Sequence, residues 1–182
     1  MNKRMIMANY CPNGGIVLNL AAKLHKIAQL EDRAFVSEMY RRVLDREPDE
    51  EGTAHRLRQL GRGTSKHRVL IEILQTDEAL GLFAHSANAG QDDKNDKASH
   101  AIRRLFAMKH EPFVHCLYRE LLCREPDQPA YAGYVDALNR GRAKSAVFAR
   151  FVSSSEFESL LGLDKYSFAR RALDQLILSF YK

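Results

Sequence analysis

The chain has 182 residues, 45 % of them hydrophobic and 28 % charged, with a formal net charge of +5. That is ordinary globular usage, sufficient for a packed core, and no run approaches the ~20 apolar residues of a membrane-spanning helix. The basic start at Lys3-Arg4 is interrupted by Asn9, Tyr10, Pro12 and Asn13 before any apolar centre of ~7–15 residues can form, so a secretory signal is not expected and the cytoplasm is.

Residues 1–15, closed by Asn13-Gly14-Gly15, read as a flexible leader. From Ile16 to Leu30 the spacing of Leu18, Ala21, Leu24, Ile27 and Leu30 predicts a helix with one apolar face. A second helix is expected over Arg33–Asp45, burying Phe35, Val36, Met39, Tyr40, Val43 and Leu44. Pro48 stops it, and Asp49 is placed to cap a third helix, Glu50–Leu60. Gly63 ends the next loop, where it supplies a backbone angle that other residues resist. Thr64 or Ser65 then caps a fourth helix to about Leu74, and a short segment ending at Glu78–Phe83 closes the unit.

Residues 84–100 have no large apolar side chain over Ser86–Ser99 and read as a polar linker. After it the chain repeats itself. Phe113-Val114, Tyr118-Arg119, Leu122 and Arg124-Glu125-Pro126-Asp127 restate Phe35-Val36, Tyr40-Arg41, Leu44 and Arg46-Glu47-Pro48-Asp49 at an offset of 78 residues. Over residues 35–83 against 113–161, 17 of 49 positions are identical, where about 3 would match by chance. The fold expected is therefore all-α, a tandem pseudo-repeat of two small, about four-helix units, residues 16–83 and 101–161. Residues 162–182 add an amphipathic C-terminal helix without a counterpart, its face carrying Leu173, Leu176, Ile177 and Phe180. That face is expected to pack on its own unit or to lie in a groove of another chain.

The repeated pattern, continued by Gly52, Leu60, Gly63, Val69 and Glu78, resembles the bacterial family described as domain of unknown function 4214, in two copies at about residues 24–83 and 102–161. A more distant likeness is to the helical linker domains of phycobilisomes. The first resemblance implies a helical module, found beside glycan-modifying enzymes, methyltransferases and surface proteins, with no established catalytic residues. Family members carry a Tyr-Trp pair in the third helix; here the first copy has His55-Arg56, and only Tyr131 and Tyr134 of the second could retain part of an aromatic surface.

Chemistry-bearing residues give few signals. Arg46/Asp49 and Arg124/Asp127 recur at a turn, where helix capping and mutual pairing explain them better than an anion site. His110, His115 and Cys116 lack metal-ligand spacing, and Ser153-Ser154-Ser155 lacks a nucleophile elbow. No catalytic residue, metal or cofactor is expected. Cys116 and Cys123 stand about 10.5 Å apart on one helix, too far to bridge, and read as partly exposed free thiols. Basic residues cluster at Arg56, Arg58, Arg62, Lys66 and Arg68, and at Arg140, Arg142, Lys144 and Arg150. Acids balance each cluster within its unit, which disfavours nucleic acid as a partner. The residues expected to carry interaction are Tyr131, Tyr134, Arg140, Arg142, Leu173, Leu176, Ile177 and Phe180. The function expected is non-catalytic: a helical protein-interaction module, adaptor or accessory factor in cell-surface polysaccharide biosynthesis, the pathway being what the resemblance implies. A glycan-synthesis enzyme is then the expected partner, with a homo-oligomer open; the alternatives are a nucleic-acid-associated regulator and a direct glycan-binding protein.

Overall fold

The structure, a computed structural model, describes residues 20–85 and 97–163. The leader, most of the linker, and the C-terminal helix with Leu173, Leu176, Ile177 and Phe180 lie outside the described residues. The first unit consists of α1 (Leu20–Ala28), α2 (Asp32–Val43), α3 (Glu50–Gly61), α4 (Lys66–Leu74) and α5 (Asp77–Ala84). The second consists of α6 (Ala98–Ala107), α7 (His110–Leu122), α8 (Gln128–Asn139), α9 (Lys144–Val152) and α10 (Ser155–Leu161). There is no strand among the described residues, as expected of an all-α pseudo-repeat. Each unit has five helices rather than about four, because the short closing segment is itself helical.

The same local chemistry draws both copies. Asp49 and Asp127 cap α3 and α8, accepting from the N–H groups of Gly52 (2.6 Å) and Ala130 (3.1 Å). Thr76 and Ser154 cap α5 and α10 in the same way. Gly63 and Gly141 both take positive φ, 89° and 92°, in the left-handed region where an added Cβ is strained. Two lysines act alike at a third place. Lys66 Nζ donates to Leu30 O (2.5 Å) and its counterpart Lys144 Nζ to Met108 O, so each satisfies a carbonyl just past the end of its unit's first helix.

The stripes of α2 and α7 are buried as read: Phe35, Val36, Met39, Phe113, Val114 and Leu117 are fully covered, and Tyr40 and Tyr118 are nearly so. By contrast α3 buries no residue fully and α8 buries only Leu138. Ala54, Leu57 and Val135 are half-covered and Ala132 is exposed, so these two helices form the outer layer. Two further expectations are corrected. The polar linker does not extend to residue 100, because α6 starts at Ala98; Ala98 and Ser99 are fully buried, and Ser99 Oγ donates to Asp45 Oδ1 at 2.9 Å. Small residues made this segment look unstructured, yet smallness is what lets it approach α2. Likewise Cys116 and Cys123 are buried, and Cys116 is disulfide-bonded rather than a free thiol. Cysteine usage therefore gives no support to a reducing compartment.

The units share one core. A single apolar cluster runs from Leu20, Leu24 and Phe35 through Leu70, Leu74 and Phe83 to Ile102, Phe113, Phe148 and Phe157. The contacts that join them are reciprocal. First helix α1 packs on α7 and its counterpart α6 on α2; α5 packs on α6 and its counterpart α10 on α1; α1 meets α6, and α4 meets α9. Reciprocal pairing of equivalent elements is the mark of an isologous, two-fold arrangement rather than a head-to-tail one. Gln75 and Ser153, equivalent residues 78 apart, bond directly to each other at 2.6 Å, as two residues on either side of a two-fold axis must. At the centre, Phe83 of α5 stands edge-on to Phe148 of α9, with Phe106 against both.

Candidate interaction surface

The most strongly repeated polar residues are spent on holding each unit together. Arg46 lies over the ring of Tyr40 at 4.9 Å, and Arg124 over Tyr118 at 4.8 Å. Each then makes a two-pronged contact with a glutamate of its unit's last helix. Arg46 meets Glu78 at 2.5 and 3.1 Å, and Arg124 meets Glu156 at 2.8 and 3.1 Å. A third bond goes to the carbonyl of Glu47 or Glu125, and the capping Asp49 or Asp127 stands 3.7 or 3.5 Å away. Glu78 holds its carboxyl below the usual range because Arg46 bonds to it, and both guanidinium groups are raised by the same pairing. Arginine therefore ties the turn to the closing helix rather than capping the helix before it. Capping and pairing of the turn were legible from spacing; the glutamate 32 residues downstream was part of the repeated pattern but carried no local signal of its role.

Several other candidates are similarly committed. Ser154 caps α10, and Ser153 Oγ bonds Ala149 O while accepting from Gln75. His115 Nε2 lies 3.2 Å from Glu125. No group of three or more metal-ligating side chains gathers among the described residues. The basic clusters are partly dismantled: Lys66 and Lys144 are the carbonyl-capping lysines, and Arg56 pairs with Glu72 at 3.1 Å. Arg58, Arg62 and Arg150 remain on the exposed side of the fold.

The candidate residues of α8 divide between core and surface. Tyr134 turns inward, its ring 5.2 Å from Phe151 and 6.5 Å from Tyr118. In the first unit the same position is Arg56, which reaches Gln59 (2.8 Å) and Glu72 (3.1 Å), so an aromatic contact in one copy is replaced by an ion network in the other. Tyr131 stays half-exposed, its hydroxyl donating to Glu111 O at 3.4 Å. Burial and the nearby Glu111 carboxylate push the Tyr131 phenol above its ordinary value.

Glu111 and Asn139 lie at the edges of a shallow, open depression with Lys109, His110 and Pro112. His110 Nδ1 and Asn139 Oδ1 are 2.8 Å apart across it, and Arg140 follows Asn139 in sequence. Arg140 is 79 % exposed and pairs with Asp136 at 3.0 Å, an arrangement that holds its charge at the surface; Arg142 is exposed beyond it. The structure thus brings Tyr131, Arg140 and Arg142 to one outer edge of the second unit and sends Tyr134 to the core. This edge offers hydrogen-bond donors, acceptors and positive charge on an open surface.

No curated protein and no solved structure matches the chain. A family model does match, over residues 17–83 and again over residues 98–161, and its description is Domain of unknown function (DUF4214). The two matched stretches are the two helical units, and the chain belongs to this family as a tandem pair of its domains.

Proposed function

We propose that the chain is a non-catalytic helical interaction module. The observation that carries this reading is how the repeated residues are used. Arg46, Glu78, Asp49, Lys66 and Gly63, with their second-copy counterparts, all serve capping, clamping or turning, so what the two copies share supports a scaffold. On the outward face the second copy adds Tyr131 on α8 and Arg142 in the following turn, where the first has Thr53 and Thr64, beside the shared Arg140. That edge suits an acidic, hydrogen-bonding patch on a protein partner. An adaptor or accessory role in bacterial cell-surface polysaccharide assembly is the setting we propose, on the family likeness alone.

The test is a triple variant, Tyr131→Ala, Arg140→Glu and Arg142→Glu, compared with wild type for partners cross-linked in the native cell. The variant should stay folded with a modestly lower melting temperature, since Tyr131 packs partly on the core while Arg140 and Arg142 are exposed, and should lose the specific cross-linked partner. An unchanged set of partners would overturn the assignment of this edge. The same edge could take an acidic glycan, and binding of purified acidic polysaccharide by the isolated chain would favour that second reading.

A further inference from the structure

The inner faces of the two units pair reciprocally, yet the residues at the two equivalent junctions have diverged in complementary ways. At the end of α2, Asp45 takes a left-handed backbone conformation (φ 57°). Its carboxylate accepts from Ser99 Oγ at 2.9 Å and from Arg103 Nη2, with Lys97 Nζ 3.2 Å away, all three from α6 and the residue before it. The equivalent residue at the end of α7 is Cys123, also left-handed (φ 51°). It packs instead with Ala21 of α1, the counterpart of Ser99, and with Leu160. The counterpart of Arg103 is His25. One junction is ionic; at the other, Cys123 packs against apolar side chains and His25 Nε2 lies 2.8 Å from Leu163 O.

A second pair of positions diverges in the same sense. Glu120 of α7, 3 % exposed, accepts from the backbone N–H of Leu20 at 2.9 Å. Its counterpart on α2 is Arg42, which pairs with Glu38 at 2.5 Å. If two first units paired through this face, Arg42 would stand in place of Glu120 and leave Leu20 N–H without that acceptor, and Asp45 would face Ala21 and His25 in place of Ser99 and Arg103. If two second units paired, Arg103, 21 % exposed, would meet Cys123 in place of Asp45. Each like pair loses a polar contact that the unlike pair keeps, which is how an interface selects a partner by penalising the alternatives.

We propose that the inner face is a self-sufficient pairing surface whose partner is the opposite unit, selected by Asp45 and Glu120, so that the first unit of one chain recognises the second unit of another copy as well as its own. Continuity of the core across both units supplies the affinity, and the diverged junctions supply the choice.

The test cuts the folded, full-length chain at a protease site inserted within residues 86–96. Under reducing conditions, so that no disulfide through Cys116 ties the halves together, cut chain with heavy isotopes is mixed with unlabelled cut chain, and the pairs are counted by native mass spectrometry. The halves should remain together after cleavage, exchange between copies, and form unlike pairs in at least about tenfold excess over like ones, the ratio expected from one lost charge-assisted bond. Asp45→Ala in the same experiment should move the mixture toward equal abundance. Halves that separate once cut would overturn the pairing surface, and wild-type halves that mix without preference would overturn the selection. Should the insertion itself impair folding, the same protease site substituted for residues within 86–96, with the chain length unchanged, gives the same two halves and the same readout.

Discussion

Arg124 makes three kinds of contact at once. Its guanidinium covers the Tyr118 ring, grips Glu156 with two prongs, and bonds a backbone carbonyl. The guanidinium is about a third exposed, so solvent screens the ion pair, and cation–π stacking with packing of the side-chain stem supplies as much as the charge does. Arg124→Ala should cost about 1–3 kcal/mol, and Arg124→Lys should recover less than half of it, because a point charge cannot replace the planar fork. Urea denaturation of the two variants measures this; equal stability of Lys and Arg would show that the fork geometry is irrelevant. Glu120 is the opposite case, a carboxyl that burial raises to about 8 despite the Leu20 N–H bond and the charges of Arg119, Arg104 and Lys23 around it. Its folded-state value is raised above that of the unfolded chain, so folding retains its proton. Its contribution is most favourable below about pH 4.5 and weakens as pH rises toward 8. Glu120→Gln keeps an acceptor for Leu20 N–H without that titration. The variant should gain stability over wild type between pH 5 and pH 8.5, by up to a few kcal/mol, read from urea midpoints. A difference that does not change with pH would show that Glu120 is ionised throughout.

At the scale of helices, the ends were easier to read than the layers. Asp49, Asp127, Gly63 and Gly141 announce themselves because a cap needs a short acceptor and a left-handed turn needs a missing Cβ, both properties of the residue itself. Gly63 lies in open space, so Gly63→Ala should cost only its backbone strain, about 1 kcal/mol. Thr76→Ala should cost a similar ~1 kcal/mol through loss of its bond to Ala79 N–H. The Gly63→Ala loss should vanish with Gly63→D-Ala, which tolerates positive φ, in a chain assembled by ligation. Harder to read was which apolar stripe goes deepest. Both α3 and α4 present an apolar stripe, yet α4 buries Val69, Leu70, Ile71, Ile73 and Leu74 while α3, with Leu57 and Leu60, buries nothing fully, because α4 also meets helices of the other unit and α3 packs mainly on α2 and α4 of its own. Periodicity reports that a face is apolar, not how many partners will cover it. The start of α6 was missed for a related reason: Ala98 and Ser99 are buried by small size and a bond to Asp45, neither of which an apolar pattern registers.

For the molecule as a whole, the repeat was visible but its consequence was not. An offset of 78 residues implies two copies of one fold; it does not distinguish beads on a string from two halves of one core. The difference lies in long-range contacts such as Phe83 with Phe148, Gln75 with Ser153, and Leu20 with Glu120, which no local pattern encodes. They also make a thermodynamic prediction. Two independent domains of this size would unfold separately, each with its own midpoint. A continuous core, in which α1 of the first unit covers α7 and α10 of the second, couples them, so loss of either half strips apolar surface from the other. Differential scanning calorimetry of the full chain should therefore show one transition with equal calorimetric and van't Hoff enthalpies. A destabilising change confined to one unit, such as Tyr118→Ala at about 3–5 kcal/mol, should lower the midpoint of the whole chain rather than split the transition. Two resolved transitions, with only one displaced by Tyr118→Ala, would mean that the units fold apart and merely touch.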